Sequence, residues 1–491
     1  MNKGLYLLGA VLPLCFMRAG AAQPWTIHEW GTFTSLQDEQ GRTVPGINTD
    51  DEPVPAFVHR LGGPALLGPS QVPPSFSKGA PACDPDVTMR LETPVIYFYP
   101  PASETKPQTI SVAVQFHGGW LTEFYPDAQS DAPGLKDCTN GFPRLYSSSE
   151  SRLAWADLKV GDWPVVDTSA HVWTSPRAVQ SALVQTAGGE SEKFLFYRGV
   201  AHLDAPLKVS RDEHSGELLF QSQLEKFPSD QPLAVHSMWL VDIQPGGRIA
   251  FRPLPPLSLN HDSKQCLART PANFAPGGYQ AGNLDKLKAD LQSALVAEGL
   301  YRDEAAALLN TWEDSYFKSP GLRVFFLVPR TWTDFVLPLD ISQPADVRRV
   351  MVGRIELVTP RQRQDLLTIS RFTPDQIQQE FAQFYGSYVG PLLSAMTNHV
   401  GEQEMRALNE KMAEVGTGQK PLASFVSVPK SYQTYLELGR FRNALVLDEA
   451  NTHSTPGLNE FIATYRLQSW LPMEAPPQPQ TAKFASGLAL P

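Results

Sequence analysis

Apolar residues at Ala305, Leu308, Leu309, Trp312 and Tyr316 recur at three- and four-residue spacing, which predicts one helical face ended by Ser319-Pro320-Gly321. The pattern then changes at once. Leu322 to Val328 is a nearly unbroken apolar run closed by Pro329, the mark of a strand covered on both sides. Upstream the dominant period is two. Trp25, Ile27 and Phe33 alternate with polar positions, and Asp38-Glu39-Gln40-Gly41 reads as a turn. A proline- and glycine-rich loop runs from Val44 to about Cys83 with no periodic pattern. Val95 to Tyr99 and Ile110 to Phe116 predict a hairpin across SETKPQ, and Gly118-Gly119 begins a corner into Trp120, Leu121, Phe124 and Tyr125. Phe194 to Val200 predicts a further strand. Leu207 to Ser210 pairs with Glu217 to Gln221 across Glu213-His214-Ser215-Gly216, and Leu233 to Ile243 pairs with Arg248 to Arg252 across Pro245-Gly246-Gly247.

The mode changes near Asn260. Asn283 is placed to cap a helix whose Leu284, Leu287, Leu291 and Leu295 face inward, and the helix described above follows it. Val350 to Val358 is a second buried strand candidate, after which Thr359-Pro360 and Thr373-Pro374-Asp375 each start a helix, and Gln403 to Val415 is helical again. Strands repeated without helices between them predict antiparallel sheets. The fold class expected is therefore mixed and mainly β, antiparallel β-sandwich modules with a C-terminal helical part, α+β. The domain plan is a β-sandwich-like region over 23–260, a helical insertion over 261–320, strands returning to the sheets over 321–358, a helical region over 359–474 and a disordered tail over 475–491.

Residues 1–22 carry a targeting signal rather than structure. Lys3 precedes the apolar run Gly4 to Met17, and Ala19-Gly20-Ala21-Ala22 offers small residues for cleavage, so a periplasmic or extracellular protein is expected. Leu14 before Cys15 argues against lipidation. No later stretch has the length of a membrane span, and a formal net charge of -10 gives no electrostatic case for nucleic acid. The 44 prolines favour short strands and rigid loops over a helix-dominated chain. Export also permits a disulfide, for which Cys83 and Cys138 are the preferred pair, leaving Cys266 over.

The familiar catalytic motifs are missing: no GxSxG, GxGxxG after a strand, phosphate-loop lysine motif, CxxC or HExxH occurs. His28-Glu29-Trp30-Gly31-Thr32 has Thr32 where a zinc protease needs its second histidine, and His117-Gly118-Gly119-Trp120 reads as a hairpin corner. Period two along Trp25 to Thr34 places Glu29 with Trp25, Ile27, Gly31 and Phe33, and His28 on the other face with Trp30, Thr32 and Thr34. A carboxylate among core residues is either desolvated into a general acid or ion-paired with an arginine such as Arg198, Arg323 or Arg354. We favour the ion pair. Glu29, His28 and Glu313 are the catalytic candidates, although Glu313 and Asp314 point about 100 degrees apart on a helix and make no pair by themselves. Arg323, Arg330, Asp334, Arg354 and Glu356 lie on or beside the late strands, where a cross-strand charge ladder is the simplest arrangement. The scattered histidines define no metal site by spacing, and cofactors are left open.

HEWGTFT at 28–34, ETPVIYFY at 92–99, EKFLFYRG at 192–199, the helix-strand stretch at 312–330 and VGRIELVTP at 352–360 together resemble an uncharacterised family of exported bacterial proteins. The resemblance implies export and one composite fold, and it assigns no catalytic residue. Two functions remain: an exported binding or structural protein of the cell envelope, partnered by an envelope polymer or another exported protein, or an exported hydrolase acting on polysaccharide or peptide through acidic residues.

Overall fold

The computed structural model describes residues 24–49, 54–61, 76–78, 80–101, 108–133, 135, 143–224, 227–228, 231–384 and 428–467. Its organising element is the opening strand, Trp25–Gln37, buried along nearly its whole length because it sits inside a 10-stranded sheet. On one side it runs parallel to Ala345–Leu357, in register from Trp25 opposite Ala345 to Gln37 opposite Leu357. On the other it pairs antiparallel with Met89–Leu91 and Val95–Tyr99. The sheet continues outward through Gly321–Leu327, Met238–Ile243 and Ile249–Leu254 in one direction, and through Leu195–Ala201, Gly119–Tyr125 and His59–Arg60 in the other.

A 6-stranded sheet built on Gln108–His117 and Glu150–Gly161 faces it. Ile27, Phe33, Ile96, Val324 and Ile355 from the first sheet pack with Val112, Val114, Leu153 and Trp155 from the second, so the first core is that of a β-sandwich. The opposite face of the large sheet carries two further apolar clusters. One gathers Trp30, Val95, Phe325 and Val352 under the helices Asn283–Ala297 and Arg302–Thr311. The other gathers Leu36, Trp120 and Val200 with Leu366, Leu445, Leu458 and Phe461 of the C-terminal helices. The chain is thus mixed α/β with several antiparallel sheets and a C-terminal helical region, as the hydrophobic pattern led us to expect.

Several local expectations are met. The strand Gly321–Leu327 follows directly on the turn at Ser319, the Pro245-Gly246-Gly247 hairpin forms, and Thr359 caps Pro360–Ser370 by accepting the Gln362 amide while Gln362 Oε1 accepts the Thr359 amide. Others need correction. Val95–Tyr99 and Gln108–His117 form no hairpin: the former joins the large sheet and the latter the small one. Apolar alternation reports that a strand has a buried face, not which sheet buries it. Asn283 is the first residue of its helix rather than the cap, and its amide donates to the carbonyls of Ile249 and Gly278. Gln403 to Val415 and the tail over 475–491 lie outside the described residues.

Candidate functional site

Glu29 lies on the sandwich-core face and is 1% exposed. The Tyr197 hydroxyl donates to its Oε1 and Arg349 Nε donates to its Oε2, so both carboxylate oxygens are occupied. Arg349 arrives there because it stands opposite Glu29 in the parallel ladder. The arginines named from sequence, Arg198, Arg323 and Arg354, fall on the opposite face. Arg349 Nη1 reaches Asp334 Oδ1 at 2.8 Å, which links the buried pair to the surface. Burial alone would lower the Arg349 guanidinium, but Glu29 and Asp334 outweigh it and hold it raised. Burial and the Glu29 charge together push the Tyr197 hydroxyl well above its ordinary range, so it stays a donor.

His28 points to the helical side, where its Nδ1 is 2.8 Å from Glu304 Oε2. Tyr99 donates its hydroxyl to Glu304 Oε1 at 2.7 Å, and the Tyr301 amide donates to Oε2 at 2.6 Å. Glu304 stands at the third position of Arg302–Thr311 and reaches back to the residue before the helix, as in the carboxylate half of a capping box. Burial, then Glu304, raises the Tyr99 hydroxyl. The Glu304 carboxylate thus faces Nδ1 of His28, an arrangement in which a carboxylate orients an imidazole. Rings of Tyr301 and Tyr99 lie 4.5 and 5.4 Å from the His28 ring. Nothing in the spacing of residues 28 and 304 pointed to this pair.

Glu313 belongs to neither place. It opens a π-helical turn, Glu313–Lys318, and pairs with Lys288 at 2.9 Å and Lys318 at 3.1 Å. The hydrogen bond from Lys288 leads in holding its carboxyl below the usual range. The three candidate residues are therefore kept apart: Glu29 between the sheets, His28 under the helices, Glu313 in a surface ion cluster. Arg330 and Asp334 form an exposed pair one helical turn apart, while Arg323 and Glu356 are the cross-strand neighbours of a charge ladder. Cys83 is a free, buried thiol rather than half of the expected bridge; its Sγ accepts from Asn443, and burial raises it. Cys138 lies outside the described residues, and Cys266 is free and exposed.

A belt of buried charge, of which only the ladder of Arg323, Arg354 and Glu356 was expected from sequence, crosses the large sheet between the two helical clusters. Arg90, Arg198, Arg323 and Arg354 are among the largest fully buried side chains of the protein. Arg354 Nε donates to Glu356 Oε1 at 2.6 Å, and Arg323 Nε lies 3.2 Å from the same oxygen. Arg323 spends its terminal nitrogens on the carbonyls of Tyr316 and Ser319. Lys78 Nζ meets Glu92 Oε2 at 2.7 Å, Arg90 meets the same oxygen at 3.3 Å, and Arg198 and Arg60 share Glu123. Tyr316 lies over this seam, its hydroxyl 3.3 Å from Thr34 Oγ1 and its ring 4.5 Å from the Arg354 guanidinium carbon. Burial lowers Arg323 to about 10. Burial and then Arg198 lower Lys78 despite Glu92, whereas Arg90 and Lys78 overcome burial to hold Glu92 low. The motif stretches converge here: HEWGTFT supplies Thr32 and Thr34, ETPVIYFY Glu92, EKFLFYRG Arg198, the helix-strand stretch Tyr316 and Arg323, and VGRIELVTP Arg354 and Glu356.

No family model and no curated protein matches the chain. Among solved structures it is similar to the Fcho1 Mu homology domain of Danio rerio with bound Eps15 peptide, with a TM-score of 0.27 and 10% identity over 69% of this chain and 98% of that one. A likeness of that size carries no weight for fold or function.

Proposed function

We propose that the protein is exported and serves a binding or structural role in the cell envelope, toward an envelope polymer or another exported protein. The signal-like residues 1–22 and the resemblance to exported bacterial proteins support the location. The observation that carries the role is the state of Glu29: both of its oxygens accept from buried donors, and it lies between the sheets. A glycosidase needs two carboxyl groups flanking a substrate, about 5 to 10 Å apart. Glu29 faces a guanidinium and a phenol instead.

A second reading, an exported hydrolase acting on polysaccharide or peptide, draws its support from the His28–Glu304 pair. One experiment separates the two. Glu29→Gln is expected to destabilise the mature protein by roughly 3 kcal/mol or more, since Arg349 loses its buried counter-charge. Thermal melts at pH 5 and pH 8 measure this, alongside a screen for hydrolysis of envelope polymers. An unchanged melt would sink the structural role of Glu29, and hydrolysis abolished by His28→Asn in a protein of unchanged stability would select the hydrolase.

A further inference from the structure

We infer that the protein cuts its own chain in mild acid, between Asp84 and Pro85, by attack of the Asp84 side-chain carboxyl on the Asp84 carbonyl carbon. This is the only Asp-Pro step in the sequence. Such a bond is the peptide link best suited to the cut. The attack closes a five-membered anhydride within one residue, and the proline nitrogen, part of a tertiary amide, leaves more readily once protonated.

The turn sets this bond up for the reaction. Asp84 is 3% exposed while Pro85 is exposed, so the carboxyl is shielded and the leaving nitrogen stands where water reaches it. The Asp86 amide donates to Asp84 Oδ1 at 2.9 Å and fixes the side chain, and no described residue donates to Oδ2, the oxygen left to attack. The Val87 amide donates to the Asp84 carbonyl oxygen at 3.1 Å, which polarises the carbon under attack and supports the negative charge that grows on that oxygen. Partners outside the turn clamp it. Arg144 makes two hydrogen bonds to the Asp86 carboxylate, the Leu145 amide makes a third, and His202 Nδ1 lies 2.7 Å from the Asp86 carbonyl oxygen. Burial pushes the Asp84 carboxyl up to about 6, aided by the Asp86 charge and opposed by the Asp86 amide and Arg144. His202 and Cys83 also flank the turn, but His202 meets a carbonyl and Cys83 Sγ accepts from Asn443. The attacking group therefore still carries the proton its leaving group needs at a pH where an ordinary aspartic acid has lost it.

In the step, the bond from Oδ2 to the Asp84 carbonyl carbon forms, the bond from that carbon to the Pro85 nitrogen breaks, and the carboxyl proton passes to the nitrogen. Solvent water then opens the anhydride. One water is consumed, and the products are a chain ending at Asp84 and a chain beginning at Pro85. The cut shows only after denaturation, because the first product contains Trp25–Gln37, paired on both sides inside the large sheet. This processing is independent of whether the protein binds a polymer or hydrolyses one.

The test holds the mature protein folded at pH 5 and at pH 7.5, and in parallel unfolded in urea at pH 5, and follows fragments by intact mass after denaturation. The protonated fraction of Asp84 sets the expectation: cleavage roughly tenfold faster in the folded than in the unfolded chain at pH 5, and roughly thirtyfold faster at pH 5 than at pH 7.5. The new N-terminus is Pro85, and the rate does not depend on protein concentration. Asp84→Ala should abolish the cut, and Pro85→Ala should slow it roughly tenfold by restoring a secondary amide. If Asp84→Ala does not fold, Pro85→Ala, at an exposed position, decides. Cleavage no faster in the folded chain than in urea overturns the proposal, and so does a cut at this bond that Pro85→Ala leaves at its original rate.

Discussion

Asp84 and Glu92 are both buried carboxyl groups, and their neighbours send them in opposite directions. At Asp84 burial dominates: the amide of Asp86 and the guanidinium of Arg144 lower the carboxyl, the Asp86 charge raises it, and the outcome is a shift up to about 6. At Glu92 the close cations Arg90 and Lys78 reverse the effect of burial. The consequence for stability follows from linkage. A group whose folded pKa is raised stabilises fully below its unfolded value, here about 3.8, and that contribution is lost as pH climbs through about 6. Neutral pH therefore finds Asp84 ionised at a cost of up to about 3 kcal/mol, from a shift of roughly two units. Asp84→Asn keeps an oxygen for the Asp86 amide and removes the charge. It is expected to raise the denaturation midpoint at pH 7.5 by an amount worth about 2 kcal/mol and to match wild type near pH 4. Chemical denaturation at the two pH values checks this, and an equal gap at both would show that the charge is not responsible.

At the scale of single elements, legibility depended on whether the signal was local. The strand face of Trp25–Gln37 was readable because period two needs only neighbouring residues, and it placed Glu29 in the core correctly. Its partner was not readable, because Arg349 comes from a parallel strand far along the chain, and an antiparallel expectation offers no such register. Glu150–Gly161 was missed for a different reason. An irregularity between Trp155 and Leu158 interrupts its alternation, so Leu153 and Trp155 fall out of step with Leu158 and Val160. Beyond the ladder of Arg323, Arg354 and Glu356, the seam was illegible because each of its other charges, taken singly, reads as an ordinary strand residue. A second irregularity lies between Arg198 and Gly199, at the seam itself. There a Cβ on Gly199 would stand 2.0 Å from the Trp120 carbonyl oxygen, a backbone atom that cannot swing aside. Gly199→Ala is accordingly expected to cost about 3 kcal/mol, the upper range for overpacking. Calorimetry of the variant tests it, and a loss under about 1 kcal/mol would mean that the two strands can part without penalty.

For the whole molecule, the question is whether the C-terminal helices are a separate domain, as a division near residue 359 suggests, or part of one cooperative unit. Leu36, Trp120 and Val200 of the large sheet share their apolar cluster with Leu366, Leu445 and Phe461, so the helices cover sheet surface that would otherwise meet water. Ionic ties reinforce that contact. Arg363 donates to Glu39, in the turn after the opening strand, and to Glu449 in Arg442–Thr452, while Arg42 makes two hydrogen bonds to Asp448. Burial lowers the Arg363 guanidinium, but Glu39 and Glu449 more than restore it. Its side chain is 26% exposed, so solvent screens part of the attraction, and Arg363→Met should cost about 1–3 kcal/mol rather than the full penalty of a broken buried pair. If sheet and helices unfold together, that loss lowers a single calorimetric transition whose van't Hoff and calorimetric enthalpies agree. We expect this single transition, because exposing the shared cluster removes burial from both partners at once. Two resolved transitions, with only the lower one displaced by Arg363→Met, would instead make the helical part a domain that folds on its own.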